Sequence, residues 1–425
     1  MGAVPTAFVV PSVTVARVAR TRPVAEDGAL LRAVLHSRRL VLLRALLDRL
    51  SHADTRPDEK EAVAGHRRLL EQADRHHPSA VRTALGHPFV GVHLVAALNA
   101  PAHTGPDELA AHLGAVAVAA ALHARIGFRT TVRTRDGLLA LPGVGAYRAG
   151  TPRVRLVAGP HSLRLTPEGR RTVTVWPRSR TGTAPAGWWE PWALPGGGAR
   201  LEDACLDRAT AAAVGLPAPR PHPWGPRAPR PWPARWRAAL TLLTSADPPR
   251  AAEVAAQVRS LVPLPPAAGE ASSATLRAAP WAVFTFLPET ASRMAEVLVH
   301  ELQHSKLAVL GEAVALHRSG GGAVHRVPWR RDPRPLGGVL QGAFAHLALA
   351  DLWHRLAERP GATPTARKAA RVRGEDYRAQ VAEALPILRE SDRLTPAGRE
   401  FAAGLERHHA ELGRHGAAPS RPVPL

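Results

Sequence analysis

Apolar residues recur at spacings of three and four through most of residues 26–125, the period of helices that bury one face. "GALLRAVLHSRRLVLLRALLDRL" carries a leucine stripe, and "PDEKEAVAGHRRLLEQADRHH" repeats the period with a more polar outer face. "HPSAVRTALGHPFVGVHLVAAL" and "GPDELAAHLGAVAVAAALHARIG" open on turn or capping residues and run into apolar stretches, the second apolar enough for a buried helix. Beyond Gly127 the pattern shortens toward alternation. "FRTTVRTRDGLLALPGVGAYR", "PRVRLVAG", "HSLRLTP" and "RRTVTVWP" are β-branched runs broken by Asp-Gly, Pro and Gly, and they predict a small antiparallel sheet ending near "WWEPWALPGG". "PAPRPHPWGPRAPRPWPARW" is too rich in proline for a helix or a central strand, but its tryptophans are costly to leave in water, so it is expected to pack over the body. A second helical region follows, with "HRSGGGAVHRVPWRRDPRPLGG" as an extended loop between two apolar helices.

These elements predict an α+β fold, predominantly helical, with a helical N-terminal part, a small antiparallel sheet in the middle and a helical region after it. The expected divisions are a flexible tail (1–25), a helical region (26–125), a β-containing region (126–216), a Pro/Trp-rich connector (217–236), a helical region (237–410) and a disordered tail (411–425). Residues 26–410 are expected to form one integrated unit.

Composition narrows the functions. Cys205 is the only cysteine, which excludes an intramolecular disulfide and a cysteine-rich metal cluster. The apolar stretch "LGAVAVAAALHARIGF" is cut short by His123 and Arg125, and the chain is expected to be soluble and cytoplasmic, with no membrane partner. A net charge of +21 invites a nucleic-acid reading. The excess is scattered arginine, Lys60, Lys306 and Lys368 being the only lysines, and no basic-aromatic motif accompanies it, so no nucleic-acid partner is expected. An acidic peptide or a dicarboxylate is an equally natural use of that field. The oligomeric state is left open.

The densest chemistry lies in "AEVLVHELQHSKLAVLGEAV". On a helix His300 and His304 share one face a turn apart and can reach one metal ion, while Glu301 is close enough to act on a metal-bound water or to orient a ligand. A metzincin would continue with Gly at 307 and His at 310, where both positions are leucine. Glu312 is a possible third ligand in sequence, but on a continuous helix it stands about 80° around the axis from His304 and three turns from His300. His346, in the middle of the apolar "LGGVLQGAFAHLALADLWHRL", is the better candidate, and another carboxylate remains open. Arg330, Arg331 and Arg334 lie in the loop between these helices, and guanidinium forks suit an organic acid held beside a metal. Lys306 would serve the same acid.

Three stretches, "LVHELQHSKLAVL", "PWRRDPRPLGGVLQGAFAHLALADLW" and "LTPAGREFAAGL", resemble the HEXXH motif domain found in gene clusters for ribosomally made, post-translationally modified peptides. "HPSAVRTALGHPFVGVHL", "VPLPPAAGEASSATLRAAPWAVFTFLPE" and the segment around "LEDACLD" extend the resemblance over about residues 26–410. It implies an iron(II)- and 2-oxoglutarate-dependent β-hydroxylase acting on a residue of a precursor peptide. His300, His304 and His346 would hold the metal, Glu301 would act beside it, and Arg331, Arg334 or Lys306 would bind 2-oxoglutarate. The alternatives are a zinc metallopeptidase with Glu301 as general base, and a non-catalytic peptide-binding protein.

Overall fold

A computed structural model of the chain describes residues 10–52, 56–101, 103–159, 161–176, 185–202, 231–264, 273–318, 320 and 322–416. The fold is α+β and predominantly helical, about 60% helix, with twelve helices and several small sheets among the described residues. The first helices are α1 (Ser12–Ala19), α2 (Ala25–His52), α3 (Pro57–His76), α4 (Pro78–Leu85), α5 (Pro88–Asn99) and α6 (Pro106–His123). Proline at the first turn of α3 to α6 fits where a backbone N–H has no intrahelical partner. Helix α6 is buried along almost its whole length.

The β-branched runs form two sheets rather than one. Strands β1 (Phe128–Arg133), β4 (Arg153–Ala158), β5 (Leu163–Pro167) and β6 (Val173–Val175) make an antiparallel sheet in that order. Strands β2 (Leu138–Leu141), β3 (Gly145–Arg148) and β7 (Trp188–Trp189) make a second. Valines and leucines on the inner faces join α2 to α6 in one core.

A third sheet joins two strands of the expected β-containing region to three in a region read as helical. It contains β8 (Trp192–Ala193), β9 (Arg200–Leu201), β10 (Ser260–Pro263), β11 (Ser273–Ala274) and β12 (Ala282–Thr285), in the order β11-β12-β10-β9-β8. Its central strand β10 pairs parallel with both β9 and β12. All four residues of β12 are buried, as suits a short strand covered on both faces.

The second core is built on α7 (Pro231–Ala246), α8 (Pro248–Gln257), α9 (Ala291–Ala313), α10 (Leu336–Glu358), α11 (Pro364–Glu390) and α12 (Pro396–Gly416). Between α9 and α10 the extended loop is a hairpin of β13 (Val324–Val327) and β14 (Arg330–Pro335). The connector reading fails at its end: residues 203–230 lie outside the described residues, but Pro231 opens α7. Pro233 is tolerated there because the first turn donates no intrahelical bonds. Trp232 and Trp236 are buried as expected, the Trp236 indole donating to the Pro195 carbonyl at 2.8 Å. The flexible-tail reading of 1–25 is also corrected. Val15, Val18 and Ala19 of α1 are buried, and α1 packs on α12 where Gly404 leaves room for Ala19 and the Ala16 carbonyl. Helix α12 continues to Gly416, past the expected start of a disordered tail. No single helix among the described residues is long and apolar enough to cross a membrane.

Candidate metal centre

Helix α9 starts at Thr290, whose hydroxyl accepts from the Arg293 N–H at 3.1 Å. Met294, Ala295, Leu298, Val299, Leu302, Val309 and Leu310 are buried around it, and this packing sets its rotation. His300 and His304 then fall on one stripe, with their Nε2 atoms 3.0 Å apart. Two nitrogens bound to one ion at about 2.1 Å and about 90° to each other lie about 3.0 Å apart. The pair therefore has the bite of a chelate.

His346 enters from α10 and faces His300 with ring centres 5.7 Å apart. Its Nδ1 is 2.7 Å from Gln380 Oε1 on α11, which as acceptor fixes the proton on Nδ1 and leaves the Nε2 lone pair free. Burial pushes the His300 and His304 imidazoles down to about 4, and neighbouring His300 adds to the effect on His304. Burial, then His300, takes His346 down to about 3. All three rings are neutral near pH 7, the state in which imidazole binds a metal. His304 Nδ1 is buried without a hydrogen-bond partner among the described residues. Among those residues no three His, Cys, Asp or Glu side chains already converge at metal distances. The donors fit a metal as a preformed pair plus a third imidazole opposite.

Trp329, at the turn of the β13–β14 hairpin, packs against His346 with ring centres 4.7 Å apart and the rings tilted by 51°. A Cβ on Gly342, one turn before His346, would come within 2.4 Å of that indole, so glycine is what admits the ring. His300, His346, Trp329, Tyr377, Gln380 and Arg293 line a cavity of about 530 Å³, closed on another side by Phe286, Leu287 and Pro288. Its size suits a small molecule or one amino-acid side chain with a cosubstrate.

The other expected residues are placed differently. Glu301 is buried and off the cavity wall, its two oxygens accepting from Ser273 Oγ at 2.5 Å and Thr275 Oγ1 at 2.7 Å. Lys306 is a correction: it is buried, with Nζ 2.7 Å from Glu253 Oε1 on α8, outside the cavity lining. Two residues past His304 it is rotated about 200°, which points it to the opposite side of the helix. Glu312 pairs with Arg38 and Arg277 at 2.9 and 3.0 Å and takes no part in the site. Arg331 and Arg334 are a second correction: both lie on β14 and outside the cavity lining, Arg334 donating to Asp332 at 2.9 Å.

Glu296 went unnoticed in the sequence. It stands one turn before His300, so Glu296, His300 and His304 form a stripe at intervals of four, and that spacing was the available signal. Its buried carboxylate accepts from Arg373 (2.8 and 3.0 Å), Tyr377 (2.7 Å) and Trp353 (3.0 Å), and it also pairs with Arg293. Burial raises this carboxyl, but the Arg373 and Tyr377 hydrogen bonds and the Arg373 and Arg293 charges outweigh it, so the net position is below the ordinary range. With its oxygens so occupied, Glu296 is a brace for α9 and not a free metal ligand.

No protein-family model matches the chain, and no curated protein matches it.

Proposed function

We propose that the protein is an iron(II)- and 2-oxoglutarate-dependent oxygenase that hydroxylates the β-carbon of a residue in a ribosomally synthesised peptide. His300, His304 and His346 would hold the iron. Imidazole donors also suit zinc, so the choice of metal rests on the sequence resemblance and not on the donor set. When bound, iron with 2-oxoglutarate and O2 supplies the oxidising power that a C–H hydroxylation requires.

The chain's own contribution is placement. Gln380 holds His346 in one tautomer, burial keeps the three rings neutral, and Phe286, Leu287 and Pro288 reduce water access. Arg293 is the guanidinium on the cavity wall, and with Lys306, Arg331 and Arg334 elsewhere it is the group that would face the far carboxylate of 2-oxoglutarate. Its side chain is 44% exposed and shares Glu296 with Arg373, so it can turn toward an acid without leaving Glu296 unpaired.

The observation that carries this reading over a peptidase is Glu301. Hydrolysis by a metal-bound water needs this carboxylate as general base on the cavity side. Here both its oxygens are taken by Ser273 and Thr275, which suits an anchoring role.

The test is anaerobically purified protein given iron(II), 2-oxoglutarate, O2 and the neighbouring precursor peptide, read by mass spectrometry. A gain of one oxygen, lost in His300→Ala and reduced in Arg293→Gln through a higher KM for 2-oxoglutarate, is the expected result. Cleavage of the peptide with zinc and without 2-oxoglutarate would overturn it.

A further inference from the structure

The β13–β14 hairpin joins two cavities. Trp329 at its turn lines the histidine cavity, whereas His325 and Pro335 at its open end line a second cavity of about 690 Å³ with Glu390 and Asp392. Alternate residues of a strand share a face, and Val324 pairs with Pro335, so Val324, Arg331, Pro333 and Pro335 stand on one face. Arg326, two residues after Val324 at the register shift, is also exposed. All five residues are exposed, Val324 at 60%. The opposite face is different: Asp332 there pairs with both Arg330 and Arg334, at 3.6 and 2.9 Å, and offsets one of their two charges. Arg326 and Arg331 have no ion-pair partner among the described residues.

We propose that this face docks an extended acidic peptide segment running along β14 from the second cavity to the histidine cavity. The assignment rests on the oxygenase reading only in saying why a peptide is delivered there; the docking itself needs neither metal nor cosubstrate. Three features select the occupant. Two uncompensated guanidiniums call for carboxylates, and forked pairing favours Arg over any lysine at such a position. Pro333 and Pro335 lack N–H donors, which leaves β14 few groups for strand addition and favours recognition through side chains. The exposed Val324 and the two proline rings offer apolar contact between the charges, which suits a segment alternating acidic and small apolar residues. Arg331 and its neighbours, which do not reach the histidine cavity as cosubstrate anchors, acquire a role in substrate capture.

The experiment uses the full chain with chelator present. A fluorescein-labelled peptide of glutamates interrupted by glycine and leucine is titrated and read by anisotropy, with its lysine counterpart and a single-stranded oligonucleotide of equal charge alongside. Arg326→Gln/Arg331→Gln is expected to weaken the acidic peptide by about tenfold or more and to flatten its salt dependence. Arg367→Gln/Lys368→Gln, which removes the same charge from the exposed start of α11, is expected to leave binding within about twofold. Unchanged melting curves for both variants exclude misfolding. Equal losses in the two double variants would reduce the effect to net charge and overturn the proposal, as would absence of binding to the unaltered protein. Tighter binding of the oligonucleotide, lost with Arg326 and Arg331, would assign the face to nucleic acid and overturn it too. A failed hydroxylation assay with docking intact would instead count against the oxygenase reading alone.

Discussion

Helix α10 carries two buried polar clusters that solve burial in opposite ways. Around Asp351 every charge is answered. Arg250, itself fully buried, donates to Asp351 at 2.7 Å, to Asp247 at 3.1 Å and to the Thr21 carbonyl at 3.3 Å, and Arg355 lies 3.3 Å from both aspartates. Burial raises the Asp351 carboxyl, but His408, with Nε2 3.7 Å away, and the Arg250 charge overcome it and hold it well below the ordinary range. Five residues earlier His346 belongs to a cluster without charge, three imidazoles of which His300 and His346 line a cavity. A saturated network of ions holds helices together. A set of neutral donors with capacity to spare is what a ligand needs.

The largest effect should come from breaking the saturated cluster. Asp351→Ala leaves Arg250 half-paired in the interior, and a loss of about 3–5 kcal/mol in unfolding free energy is expected in urea titrations. A pH series then separates the two clusters. His300, His304 and His346 have folded values near 4, 4 and 3 against about 6.5 unfolded, so below about pH 6.5 the unfolded chain takes up protons that the folded one refuses. Stability of the metal-free protein should therefore fall as pH drops from about 6.5 toward 4, by up to about 1.4 kcal/mol per pH unit for each ring. Asp351, with a depressed folded value, keeps its contribution across that window and loses it only below the ordinary aspartate range. His300→Gln should flatten the slope measured by thermal melts, and an unchanged slope would place the titration in other buried histidines such as His66.

A smaller effect is expected from Gly342→Ala. The added methyl meets the Trp329 indole at 2.4 Å, so the hairpin turn must shift, at a cost of about 1–3 kcal/mol and with altered tryptophan emission. Smallest is Ser273→Ala, which removes one of two hydroxyls from Glu301. About 1–2 kcal/mol is expected, with cobalt affinity by calorimetry unchanged, because Ser273 is not among the metal donors. A collapse of cobalt affinity in this variant would return Glu301 to the metal.

What was readable in the sequence was what helix periodicity carries. His300 and His304 at an interval of four lie with their Nε2 atoms 3.0 Å apart, and His346, in the middle of an apolar helix, has its ring centre 5.7 Å from that of His300. Lys306 lies off the cavity because the same periodicity turns it about 200° from His304. Arg331 and Arg334 lie off it for another reason: nearness along the chain brings a loop to a site, but the register of its hairpin decides where side chains point. The parallel pairing of β9, β10 and β12 was hidden because these strands have two to four residues each and meet only after long excursions of chain. Helix α1 was hidden because "VVPSVTVARVA" reads as a proline-broken tail, whereas Pro11 stands just before the helix as its N-cap.

Glu296 ties α9 to α10 through Trp353 and to α11 through Arg373 and Tyr377, one turn from His300. Such a brace acts as an anti-rotation key. If it loosens, α9 can turn as a body, and such a turn carries the His300–His304 pair together out of alignment with His346 on α10. Damage there would lower the melting temperature, as damage at Asp351 would, and would also offset the paired imidazoles from His346, so stability and alignment are held by the same carboxylate.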